Sequence, residues 1–166
     1  MSDHFTRLGL PRRFAIDAAE LERQYLARSR AVHPDFHAGG PTADLAASME
    51  LSAALNEAYT ALRDPFARAE YLMALEGGPT AAEQKQMPAA SLMEMIEARE
   101  QVEEAKSGNN ACESQRSELL TGFQSRYDDL LADVAALFAK PGSHSAIRER
   151  LNAAKYVKGL IRDLNE

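Results

Sequence analysis

The chain has 166 residues and a formal net charge of −6, long enough to bury a core without disulfide or metal staples. The acidic balance argues against nucleic acid as the main partner, because neutralising phosphates needs a basic surface. A single cysteine, Cys112, excludes an internal disulfide and a Cys-based zinc site and favours a reducing compartment. The N-terminus carries no apolar run of roughly 7–15 residues and no stretch approaches about 18 apolar residues, so a soluble, cytoplasmic protein without a membrane segment is expected.

Glycine and proline divide the chain at Gly9 to Pro11, Pro34, Gly39 to Pro41, Pro65, Gly77 to Pro79, Pro88, Gly108 and Pro141-Gly142. Between these marks the apolar spacing is helical, with no sustained alternation of the strand type. Phe5 to Leu10 is a small hydrophobic segment. Asp17 and Glu20 have capping-box spacing and open a helix with Leu21, Tyr25 and Val32 on one side, and Pro34 ends it by turning His33 away from the α region. A second helix places Leu45, Leu55, Tyr59 and Leu62 at helical spacing and stops at Asp64-Pro65. A shorter one is expected from Ala67 to about Leu75.

The polar run Gly77 to Pro88 reads as a linker, with a domain boundary near residue 78, so that residues 1–78 form one domain and 79–166 another, 79–88 being the connection. Beyond it three helices are expected, over about Ala89 to Ala105, Ser114 to Phe138 and Ser143 to Leu164. Short connections make an antiparallel bundle the expected packing. The middle helix carries a wide stripe from Leu119 through Phe123, Tyr127 and Leu131 to Phe138.

The stretch Val32-His33-Pro34-Asp35-Phe36-His37 between the two longer N-terminal helices concentrates chemistry. Pro34 stiffens the tip of a helix pair and lowers the ordering entropy of docking, and the Asp35 carboxylate can accept paired hydrogen bonds from an arginine. Helix, HPD loop and helix together resemble the J-domain of DnaJ-type co-chaperones. The likeness continues through Leu55-Asn56-Glu57-Ala58-Tyr59-Thr60-Ala61-Leu62-Arg63-Asp64-Pro65, which looks like that domain's third helix and its stop. Arg68-Ala69-Glu70-Tyr71-Leu72 is similar to the segment that follows in the HscB-type co-chaperones of iron-sulfur cluster assembly, and Leu92 to Glu100 looks like their scaffold-holding helix.

The resemblance implies an all-α, L-shaped protein: an N-terminal J-domain helical hairpin plus a C-terminal antiparallel three-helix bundle. It implies that His33, Pro34 and Asp35, with positive charge from Arg23, Arg28 and Arg30, engage a DnaK/HscA-type chaperone ATPase. Arg28 stands three residues after Tyr25 and four before Val32, so either it snorkels past a thinner core or the helix is rotated. No glycine-rich phosphate loop is present, and neither catalysis, a cofactor nor a resident metal is implied. Two alternatives stay open: a J-domain co-chaperone for a different client, and a metal-dependent enzyme using His33, Asp35 and His37.

In the helix from Ala89, periodicity puts Met95, Ala98, Val102 and Ala105 on one side and Met93, Ile96, Glu97 and Glu100 on another, with Leu92 between. One side suffices for packing, which leaves apolar residues beside carboxylates as a docking face or as the surface of a fuller bundle. In the last helix the stripe runs Ile147, Leu151, Ala154, Val157, Ile161 and Leu164, with Tyr156 nearly opposite and so exposed. The resemblance implies that Leu92, Met93, Ile96, Glu97, Arg99, Glu100 and Tyr156 contact an IscU-type iron-sulfur scaffold protein.

Overall fold

The computed structural model describes residues 2–32, 42–85, 89–107 and 112–166, without the side chains of 42–44, 89–90 and 112. Its described residues hold seven helices and no strand: α1 (His4–Leu8), α2 (Ala18–Ala31), α3 (Thr42–Arg63), α4 (Pro65–Leu75), α5 (Ala89–Ser107), α6 (Cys112–Phe138) and α7 (His144–Asn165). They fall into two compact units, Met1–Leu72 and Met73–Glu166, so the division lies within α4 rather than in the glycine-proline run that follows it.

In the first unit, the segment read from sequence only as a hydrophobic stretch is a complete short helix. The Asp3 side chain accepts the Thr6 N–H at 2.9 Å at its start. At its end, Gly9 takes φ 69°, donating to Thr6 O at 3.0 Å while Leu10 N–H reaches Phe5 O at 2.9 Å, the paired closure that a left-handed residue permits. Gly9 is also a point of close approach, because a Cβ there would collide with the Arg28 guanidinium. Phe5, Leu8, Leu10, Phe14, Leu21, Leu55, Leu62 and Leu72 form the core.

Pro65 opens α4 instead of merely ending α3. Its missing N–H costs nothing at a first helical position, and the Asp64 carboxylate accepts the N–H groups of Phe66 at 2.7 Å and Ala67 at 3.3 Å. Arg68 is buried. It donates to Leu62 O at 2.8 Å and lies 5.0 Å from the Phe14 ring centroid, so it closes the end of α3 from inside the core.

The second unit packs α5, α6 and α7 against one another. Side-chain contacts fix their directions. Glu94 of α5 pairs with Arg126 of α6, and Asp133 of α6 with Arg150 of α7, whereas Met95 and Arg99 of α5 meet Tyr156 and Asp163 of α7 in rising order. The sequence is therefore up, down, up. Val102, Ala105, Phe123, Val157, Leu160 and Leu164 are its buried centre.

The run read as a linker is docked where it is described. Arg148 Nε donates to Pro79 O at 2.9 Å, Asn152 Nδ2 to Gln84 O at 2.8 Å, and Gln84 Nε2 to Ser145 O at 3.1 Å. The Pro79 carbonyl and Gln84 are thus paired with α7, while Thr80 and Glu83 bond each other at the surface, a distinction that composition does not carry.

Candidate docking surfaces

The hairpin stem of the first unit is fastened at two levels. Near its middle, Tyr25 of α2 stacks on Tyr59 of α3 with ring centroids 4.3 Å apart, and its hydroxyl donates to Asn56 Oδ1 at 2.8 Å. At the loop end, Ser48 and Ser52 hydroxyls of α3 both donate to Val32 O, at 2.6 and 3.2 Å. This carbonyl follows the last residue of α2, and among the described residues the two serines are the donors that satisfy it. His33, Pro34, Asp35 and His37 lie outside the described residues. Ser48 and Ser52, which hold the approach to that loop, had a faint signal in sequence: two poor helix formers four apart inside an apolar helix.

Arg23, Arg28 and Arg30 are all exposed on α2. Arg23 pairs with Glu20 one turn earlier. At about 100° per residue Arg23 and Arg30 share a face, while Arg28 stands roughly 140° away from Arg23. It snorkels over Gly9 at the end of α1. The structure thus brings two of the three arginines together and sends the third to another side.

On α5 the two sides separate as their spacing implies. Met95, Val102 and Ala105 are buried and Ala98 is half-buried. Leu92, Met93 and Ile96 are exposed to 48, 64 and 58 %, and Glu97 and Glu100 are exposed beside them. Moving round α5 from the α7 side, the order is Arg99, Leu92, Ile96, Glu100, Met93 and Glu97, so a cation stands at one edge of the apolar patch, Glu100 within it and Glu97 at the other edge.

Tyr156 departs from the sequence reading. It is half-buried, packs against the bundle core, and donates its hydroxyl to Met95 O at 2.8 Å. The physical reason is that α7 has neighbours on more than one side, so its buried surface takes in Ala153 and Leu160 besides the stripe, while Ile161 is only half-buried. Tyr156 consequently ties α7 to the back of the α5 patch and presents only part of its ring.

Arg99 is held from α7 by Asp163, 2.5 Å away, and from its own helix by Glu103 at 3.1 Å. Its hydrogen bond to Asp163 raises its pKa above the ordinary arginine value. Hydrogen bonds from Arg162 first, and from Arg99 second, hold the Asp163 carboxyl below the usual range. Both groups stay charged across the physiological range. Among the described residues no cluster of three or more His, Cys, Asp or Glu could hold a metal ion, and no helix is long and apolar enough to cross a membrane.

The profile described as the HSCB C-terminal oligomerisation domain matches residues 87–165. A co-chaperone protein HscB homolog of Bordetella petrii is 34% identical over 163 residues, 98% of this chain and 94% of the relative. A homolog from Chromobacterium violaceum is 42% identical over 113 residues, 68% of this chain but only 65% of that relative's length. Among solved structures, chaperone HscB from Vibrio cholerae matches with a TM-score of 0.84 at 26% identity, covering 98% of this chain and 95% of that one. Human co-chaperone protein HscB gives 0.86 at 24% identity over 98% and 80%, a likeness of fold alone.

An all-helical chain that matches co-chaperones from end to end is of the J-domain co-chaperone class. It belongs to the HscB family, the co-chaperones of iron-sulfur cluster assembly.

Proposed function

We propose that this co-chaperone works in the cytoplasm by binding an IscU-type iron-sulfur scaffold protein through the second unit and a DnaK/HscA-type chaperone through His33, Pro34 and Asp35, and that it stimulates that chaperone's ATP hydrolysis when scaffold is bound. Leu92, Met93 and Ile96 form the apolar centre of the scaffold contact, with Glu97, Glu100 and Arg99 as its charged rim and Tyr156 as its support from behind. Arg23 and Arg30, on one face of α2, supply positive charge toward the chaperone, while Arg28 is turned to Gly9. The observation that carries this reading is the exposure of Leu92, Met93 and Ile96 on a helix whose opposite side already packs the bundle. Three large apolar side chains left in water beside carboxylates suit a protein-docking face with a mixed rim.

The test is single-turnover ATP hydrolysis by the chaperone with scaffold present. Asp35→Asn is nearly isosteric and removes the charge an arginine would pair with, so stimulation should fall at least about 10-fold with scaffold affinity unchanged. Replacing Leu92, Met93 and Ile96 together by alanine should weaken scaffold binding about 10- to 100-fold with helix content unaltered. Wild-type levels of stimulation and binding in these variants would defeat the proposal.

A further inference from the structure

Beside the α5 patch, toward α7, lies an open groove of about 370 Å³ lined by Arg99, Lys155, Tyr156, Gly159, Arg162 and Asp163. Lys155, Gly159 and Arg162 recur at helical spacing on one face of α7, and Arg99 enters from α5. Three cations meet one carboxylate there, in a chain whose net charge is −6. The carboxylate is committed. Asp163 is only 17% exposed and bonds both Arg99 and Arg162, whereas Arg162 is 71% exposed and Lys155 is exposed with no ion pair among the described residues. Arg162 also lies 3.8 Å from Glu166, so the positive charge left without a counter-ion in the groove is that of Lys155, which faces solvent beside the exposed Arg162.

Gly159 gives an independent pointer. Glycine inside a helix costs about 0.5–1 kcal/mol relative to alanine, and here neither backbone nor packing requires it: its φ is ordinary and a Cβ at this position would meet nothing within 4 Å. The missing side chain leaves the groove open between Lys155 and Arg162, one turn before and one turn after it.

We infer that this groove is the acid-accepting part of the scaffold-docking face: an aspartate or glutamate of the scaffold protein enters between Lys155 and Arg162 over Gly159 while the scaffold's apolar surface covers Leu92, Met93 and Ile96. The inference rests on the scaffold-binding proposal and deepens it. Charge complementarity fixes the occupant and the orientation. Cations border the apolar patch on the α7 side and Glu97 on the far side, so a partner with an acidic group at one edge and a basic group at the other docks in one direction only.

The experiment titrates the IscU-type scaffold protein into wild type, Lys155→Glu/Arg162→Glu, Gly159→Leu and the triple-alanine patch variant, with thermal melts of each. Charge reversal should lower affinity about 10-fold at low salt and flatten its salt dependence. Gly159→Leu should lower affinity about 10-fold while the melting temperature holds or rises, a combination that a glycine without function would not give. If the patch variant loses binding while the groove variants bind like wild type, the groove inference is overturned and the scaffold proposal stands. Absence of binding by the wild type overturns both.

Discussion

The His4 ring lies against Tyr71 with centroids 4.2 Å apart, and its Nδ1 is buried without a hydrogen-bond partner. Burial is the largest influence on it and lowers its pKa from 6.5; Glu57 and Asp3 pull the other way and Arg7 adds to the lowering. A histidine that protonates less readily folded than unfolded contributes stability that is complete above the unfolded pKa and is lost as pH falls from there through the folded one. Amide exchange in α1 should therefore speed up relative to the rest of the unit as pH falls from 6.5. His4→Phe keeps the ring contact and removes the titration, and should flatten that change. An unchanged pH response in the variant would locate the effect elsewhere. Asp3, at the same helix start, behaves oppositely. Burial works to raise its carboxyl, but the Thr6 N–H, Arg12 and the Thr6 hydroxyl outweigh it and hold the pKa below 3.8, so its contribution is complete above that value and fades only in acid.

For helices, legibility depended on whether one element or its surroundings decided the outcome. The two faces of α5 were readable because a period near 3.6 separates Met95, Val102 and Ala105 from Leu92, Met93 and Ile96 without reference to any neighbour. Tyr156 was not, since a stripe on one helix does not say how many partners flank it. The capped start and glycine end of α1 were written in Asp3 and Gly9, but five residues are too few for a periodic signal. The Ser48 and Ser52 clasp on Val32 needed the α2–α3 pairing to become visible. That clasp has a measurable consequence. Ser48→Ala/Ser52→Ala leaves Val32 O without its two donors, which should cost about 1–3 kcal/mol. Loosening one end of the loop should also lower chaperone stimulation several-fold, with scaffold affinity unchanged because the α5 surface belongs to the other unit. Full stimulation by the double variant would show that the loop does not depend on this anchor.

At the scale of the molecule, the all-helical class was legible in the sequence because apolar spacing is helical between the glycine and proline marks, whereas the compact units, Met1–Leu72 and Met73–Glu166, are defined by packing that those marks do not report. The proposed activity needs both units in one chain. A scaffold held on α5 is kept near the chaperone engaged by the loop at an effective concentration of the order of mM for a short connection, far above what two separate proteins reach in dilute solution. Two chains with complementary defects should then fail to rescue each other. On the proposed reading, Asp35→Asn should bind scaffold without engaging the chaperone, and the Leu92, Met93 and Ile96 triple-alanine variant should engage the chaperone without holding scaffold. Their equimolar mixture at micromolar concentration should show no more scaffold-dependent stimulation than the better of the two alone. Adding Asp35→Asn to wild type should inhibit in proportion to its share of scaffold, because it occupies the client unproductively. Restoration of full stimulation by the mixture would mean that scaffold binding and chaperone docking act independently, and that joining them in one chain serves some purpose other than bringing client and ATPase together.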